Sequence, residues 1–196
     1  MVLAVVLSVL PIAAFAKSIV VVGDSISAGY GIEVQLGWVA LLQNKLTDLQ
    51  SSYVISNESI SGDTSAGGLA RLEQILTRHK PDVLLLELGA NDGLRGLSPQ
   101  EMKNNLTEIV RRSQKIGAKV MLLGMKIPPN YGKRYVEMFY EVYPQLSAEL
   151  QIPYVPFILE EVALKSEMMQ ADGLHPNELA QPLIAEKIWG YLQPLL

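Results

Sequence analysis

Residues set far apart in this chain could combine as a nucleophile and its base. Ser25 lies in Gly23-Asp24-Ser25-Ile26-Ser27, just after the apolar run Ser18 to Val22. A serine on a tight strand-to-helix turn can direct its backbone N–H, and a helix N-terminus, at a developing anion. Taken alone, such a serine is equally well a helix cap. A serine hydroxyl needs a base with a pKa near the working pH, and histidine supplies one. The chain holds two histidines. His79, in Arg78-His79-Lys80-Pro81, sits among cations at a helix end and reads as a solvated terminal residue. His175 lies in Asp172-Gly173-Leu174-His175-Pro176. The spacing of three lets the Asp172 carboxylate reach one ring nitrogen while the other faces Ser25. The carboxylate would then fix the tautomer and stabilise the imidazolium.

Attack on an acyl carbon puts negative charge on the carbonyl oxygen, and that charge needs preorganised donors. Gly62 in Ser61-Gly62-Asp63 and Asn91 in Gly89-Ala90-Asn91-Asp92-Gly93 could supply them, together with the Ser25 N–H. Glycine and asparagine are also the common turn formers, so each is weak evidence singly.

The elements that must carry these residues alternate. Strands are predicted over Ser18 to Val22, Tyr53 to Ser56, Pro81 to Leu88, Ala118 to Leu123 and Tyr154 to Phe157. Helical spacing marks Trp38 to Leu49, with Leu41, Leu42, Leu46 and Leu49 on one face. It also marks Thr64 to His79, with Leu69, Leu72, Ile75 and Leu76. Ser98-Pro99-Gln100-Glu101 has the residues of a capping box, opening a helix that runs to Gly117. Further helices are expected from Tyr135 to Leu150 and from Asn177 to Leu192, and loops over Asp92 to Gly96 and around Pro128-Pro129-Asn130. Such alternation predicts a parallel sheet of about five strands with helices on both faces, an α/β/α sandwich. The strands are apolar throughout, as burial on both sides requires. Ligands of such sheets bind beyond the carboxyl ends of the strands, where every candidate residue above falls.

Composition narrows the function further. The 196 residues are 49% hydrophobic and 18% charged, enough for one domain with a sizeable core. A formal charge of −4, with no Lys/Arg-rich run, does not favour nucleic acid as a partner. There is no cysteine, which excludes disulfides, thiolate metal sites and a cysteine nucleophile. The first 16 residues are apolar and end in Ala14-Phe15-Ala16, ahead of the first charge at Lys17. This reads as a secretory signal peptide cut after Ala16, although no basic residue precedes the apolar run. The run is short for a membrane span of about 20 residues. Residues 17–196 then form the mature domain, periplasmic or secreted, with no stable membrane span left after cleavage.

In order along the chain, Gly23-Asp24-Ser25-Ile26, Gly62, Gly89-Ala90-Asn91-Asp92 and Asp172-Gly173-Leu174-His175-Pro176 resemble the four blocks of the GDSL/SGNH hydrolases. Ile26 stands where the name-giving leucine would be. Ser59 to Ser65, Glu87 to Gly96 and Pro129-Asn130-Tyr131-Gly132 are similar to a bacterial periplasmic subgroup of esterases, thioesterases and lysophospholipases. The resemblance implies a flavodoxin-like fold, no cofactor, no metal, and a monomer acting on small acyl esters and thioesters. It implies Ser25 as nucleophile, His175 as base, Asp172 as its orienter, and Gly62 and Asn91 as oxyanion donors. Leu94 would border the acyl pocket, with glycines 93 and 96 permitting movement. Two other readings remain open: a carbohydrate O-acetyl esterase and a non-catalytic lipid- or sugar-binding module. A nucleotide or flavin carrier is disfavoured, because no G-x-G-x-x-G or P-loop follows the first strand.

Overall fold

The computed structural model describes residues 16–196; the expected signal peptide lies outside them, save for Ala16. Five parallel strands form the sheet: β1 (Lys17–Gly23), β2 (Tyr53–Asn57), β3 (Val83–Glu87), β4 (Lys119–Leu123) and β5 (Tyr154–Val155), in the order β2-β1-β3-β4-β5. Among the described residues seven α-helices accompany them: α1 (Ser25–Ala28), α2 (Trp38–Asp48), α3 (Ser65–His79), α4 (Ala90–Leu94), α5 (Pro99–Lys115), α6 (Lys133–Leu150) and α7 (Gln181–Leu192). α2 packs with α7 as one layer, and α3, α5 and α6 pack side by side as the other. This is the three-layer α/β sandwich that strand–helix alternation predicts. No helix of the described residues is long and apolar enough to cross a membrane.

The central strands are buried along most of their length: Ile19 to Val22 on β1 and Val83 to Leu86 on β3 have no exposed surface, and only the start of β1, at Lys17 and Ser18, reaches solvent. Burying one such side chain contributes about 1.5–3 kcal/mol, so these strands anchor the sheet from which the loops project. β2 is an edge strand, and its Val54 is half exposed. β5 is shorter than the predicted Tyr154 to Phe157, because Pro156 lacks the N–H that a continued ladder would need.

Other segments also depart from the sequence reading. In α2 the buried face is Trp38, Val39, Leu42 and Leu46, while Leu49 caps the helix and is exposed. The segment expected as a loop after Asn91 is the single-turn helix α4. The last helix divides at Gln181: residues Glu178–Ala180 form a 3-10 turn, capped by the Asn177 side chain, before α7 begins. The buried Gln181 side chain spans that junction, accepting from the Trp38 N–H and donating to the Asn177 carbonyl. By contrast, α5 opens as read, with Pro99 in its first turn and the Ser98 hydroxyl accepting from the Glu101 N–H.

From β1 the chain moves outward to β2, then returns past β1 to β3 and onward to β5. Connections therefore diverge on either side of the β1–β3 seam, and the crevice above that seam is where such sheets bind ligands. Ser25 follows β1 and Asn91 follows β3.

Candidate active site

β1 ends at Gly23, and Asp24 turns the chain. Its carboxylate accepts the Ile26 N–H at 3.0 Å, which caps α1 and leaves Ser25 as the first helical residue. α1 stops after one turn at Gly29, whose φ of +74° suits glycine. A Cβ on Gly23 would lie 2.7 Å from both Glu87 Oε2 and Ser27 Oγ, so only glycine lets the turn pack this closely.

His175 comes from the segment ahead of α7. Gln170 pins that segment to the nucleophile turn: its side-chain amide donates to the Tyr30 carbonyl at 2.7 Å and to the Pro176 carbonyl at 3.1 Å. The Gln170 N–H donates to the His175 carbonyl at 2.8 Å. The imidazole lies 4.6 Å from the Tyr30 ring, centroid to centroid. Its Nε2 is 2.8 Å from Ser25 Oγ and its Nδ1 is 2.6 Å from Asp172 Oδ2. A carboxylate can only accept, so the ring hydrogen belongs on Nδ1 and Nε2 is left to accept from the serine hydroxyl. Asp172 Oδ1 accepts the N–H groups of His175 and Leu174 at 3.0 and 2.9 Å. The His175 N–H bond is the largest influence holding the Asp172 carboxyl down at about 2, so it is ionised at neutral pH.

Gly62 and Asn91 border the same crevice. Gly62 has a φ of +82°, and its carbonyl accepts from Arg95 at 2.8 Å. Among the described residues, neither the Gly62 N–H nor the Ser25 N–H donates to a protein acceptor. The Asn91 amide differs: its Nδ2 donates to Asp24 Oδ2 at 3.0 Å and to the Asp63 carbonyl at 2.9 Å. An oxyanion would therefore have to share one of these hydrogens. α4, which carries Asn91, starts at Gly89, where a Cβ would lie 2.5 Å from Tyr143 Oη and 2.8 Å from Met102 Sδ. It is fastened to α3 by Asp92, whose carboxylate accepts from the Ser65 N–H and hydroxyl.

The crevice is a cavity of about 370 Å³ with an apolar wall of Leu94, Met125, Ile127, Pro128 and Leu159. Leu94 thus borders the crevice as expected, and Pro128, expected only in a loop, lines it too. Gly93 has a packing reason of its own: it is buried, and a Cβ would meet Ile127 at 2.6 Å and Phe139 at 2.8 Å. His79 also departs from its sequence reading. It is not a solvated terminus but a mostly buried side chain with Nε2 2.6 Å from Glu58 Oε1. A larger groove of about 810 Å³ between α3 and α5 includes none of the five candidate residues.

Asp24, Glu87, Gln170 and Tyr30 escaped the sequence reading as parts of the site. Asp24 and Glu87 lie close to Ser25 and Gly89 in the sequence, but nothing there reveals that the Glu87 carboxyl packs against the Asp24 turn. Gln170 and Tyr30 carry no pattern of their own.

A parallel α/β sandwich with Ser25, His175 and Asp172 in one hydrogen-bonded line at its switch point has the arrangement of an acyl-group hydrolase. The chain belongs to the GDSL-like Lipase/Acylhydrolase family, whose sequence model matches residues 21–181, and it is a hydrolase of the esterase class. Among individual proteins it is 51% identical to the esterase TesA of Pseudomonas aeruginosa, over 93% of this chain and 91% of that protein. It is 46% identical to the thioesterase 1/protease 1/lysophospholipase L1 of Escherichia coli K12, over 94% of this chain and 87% of that one. The crystal structure of a TesA superposes with a TM-score of 0.89 at 50% identity, covering 92% of this chain and all of that chain.

Proposed function

We propose that this chain is an exported serine hydrolase that cleaves acyl esters and thioesters through an acyl-Ser25 intermediate. The observation that carries the reading is the His175 ring bridging Ser25 Oγ and Asp172 at 2.8 and 2.6 Å, next to two unengaged N–H groups. Nε2 takes the hydroxyl proton as Oγ bonds to the acyl carbon. The carbonyl oxygen, now negative, is held by the N–H groups of Ser25 and Gly62 and by the Asn91 amide. As the tetrahedral intermediate collapses, the bond to the leaving oxygen or sulfur breaks, and that atom takes the proton from Nε2. Water then gives a proton to Nε2, attacks the acyl carbon, and releases the acid as Oγ takes the proton back. Asp172 stays ionised throughout and offsets the charge on the imidazolium.

The apolar wall of the cavity favours an acyl chain over an acetylated sugar. The relatives' names, which include esterase, thioesterase and lysophospholipase, support lysophospholipids, acyl thioesters and aryl esters as substrates. Cleavage of the first 16 residues after Ala16 and action of a monomer outside the cytoplasm belong to the same reading. The test is hydrolysis of p-nitrophenyl esters of graded chain length, with Ser25→Ala as the blank. Wild type should cleave them and label with a fluorophosphonate. Ser25→Ala should do neither while keeping its circular dichroism, and near wild-type turnover by that variant would defeat the mechanism.

A further inference from the structure

The mechanism above leaves unused two carboxyl groups buried beneath the nucleophile. Glu87, the last residue of β3, is fully buried, and Asp24 is 1% exposed. Asp24 is a junction. Oδ1 accepts from the Ile26 N–H at 3.0 Å, Oδ2 accepts from Asn91 Nδ2 at 3.0 Å, and its own N–H donates to Glu87 Oε2 at 3.2 Å. That Glu87 oxygen also accepts from the Ser27 hydroxyl at 2.7 Å. The other, Oε1, has no donor at all. With the Asp24 N–H on its Oε2, the Glu87 carboxyl lies directly against the turn that carries the Asp24 carboxyl.

Two ionised carboxylates cannot share a hydrogen bond, since neither has a hydrogen to give. No lysine or arginine among the described residues bonds either group, so a second negative charge here would be buried and unpaired. The titratable groups bearing on the pair are His175 ahead of α7, Tyr143 on α6 and, beyond that ring, Asp92 on α4. Only His175 can become positive.

We propose that Glu87 is a neutral acid that gives its hydrogen to Asp24, and through Asp24 it positions the Asn91 amide. The proposal rests on the reading of Asn91 as an oxyanion donor. Burial pushes the Glu87 carboxyl well up and Asp24 to about 6, so above that pH one proton remains on the pair and one negative charge faces Asn91. A charged acceptor holds its hydrogen more strongly than a neutral carbonyl does. Asp24 therefore keeps its grip on Asn91, and the hydrogen now on the Asp63 carbonyl is the one shared with the oxyanion.

The experiment measures kcat and KM on p-nitrophenyl butyrate at pH 8 for full-length Glu87→Gln, Glu87→Met, Asn91→Ala and the Met/Ala double variant. Asn91→Ala should lower kcat by about 10²-fold, as loss of one oxyanion donor does. Glu87→Met, with no donor and only a weakly accepting sulfur, should lower kcat by about tenfold with KM unchanged, and should cost little more in the Asn91→Ala background. Glu87→Gln keeps an N–H for Asp24 and an oxygen for Ser27, so its kcat should stay near wild type. The infrared difference between wild type and Glu87→Gln at pH 8 should contain the carbonyl stretch of a protonated carboxylic acid. Absence of that band overturns the proposal, as does a Glu87→Gln that loses as much as Glu87→Met. Multiplicative losses in the double variant overturn it too, since they mean that Glu87 acts elsewhere. An unchanged kcat in Asn91→Ala instead removes the donor reading, and the positioning role with it, whatever the infrared band shows. Should Glu87→Met fail to fold, the Gln variant and the infrared band decide.

Discussion

Asp172 shows how one carboxylate does two jobs with four lone-pair sites. Oδ1 closes the turn by accepting two backbone N–H groups, and Oδ2 faces the imidazole. Replacement by Asn keeps an oxygen for the turn and removes the charge. Asp172→Asn should therefore lower kcat by about 10²–10⁴-fold, since the ring loses its fixed tautomer, with the melting temperature almost unmoved. Steady-state kinetics beside a thermal melt checks this, and turnover near wild type would mean that the carboxylate does not orient the base. The depressed carboxyl adds stability that is present above its ordinary value of 3.8 and is lost as pH falls through about 2. The side chain is 39% exposed, so solvent screening keeps that contribution small.

At the scale of elements, the site depends on short turns that permit no side chain. α4 starts where Gly89, at φ +123°, passes against Tyr143 and Met102. Gly89→Ala would add a methyl 2.5 Å from a buried tyrosine oxygen on a backbone that L residues disfavour. Overpacking and strain together should cost about 1–3 kcal/mol of stability. Because α4 carries Asn91, kcat should fall while KM changes less. A denaturant melt and kinetics on one ester test both, and an unstrained, fully active Gly89→Ala would refute the packing argument.

For the whole molecule, the buried acid pair sets how stability varies with pH. Both folded-state values lie above the unfolded ones: Asp24 at about 6 against 3.8, and Glu87 well above 4.5. The pair thus holds more protons in the native state than in the unfolded chain once pH exceeds about 4, and its contribution to stability falls as pH rises from there. Glu87→Gln removes the Glu87 share of that dependence. Its melting temperature should gain on wild type progressively from pH 5 to pH 8, as calorimetry at several pH values would reveal. A constant difference across that range would mean that Glu87 titrates normally.

The chain by itself determined the layered sheet, the places where strands end, and five candidate residues, because periodicity and the order of polar blocks are local properties of sequence. It also showed how α5 opens, since a cap and a proline act within one turn. It misread the end of α2, where the exposure of Leu49 depends on neighbours, and the end of β5, where Pro156 itself withholds the N–H that a longer ladder would need. Tertiary structure alone decided that His175 touches Ser25 across 150 positions, that Gln170 ties the two segments together, and that His79 pairs with Glu58 rather than water. It alone put Glu87 against Asp24. A strand residue's partners are set by register and by the turn it packs under, and a carboxyl group's charge is set by what surrounds it; neither is written in the order of the residues.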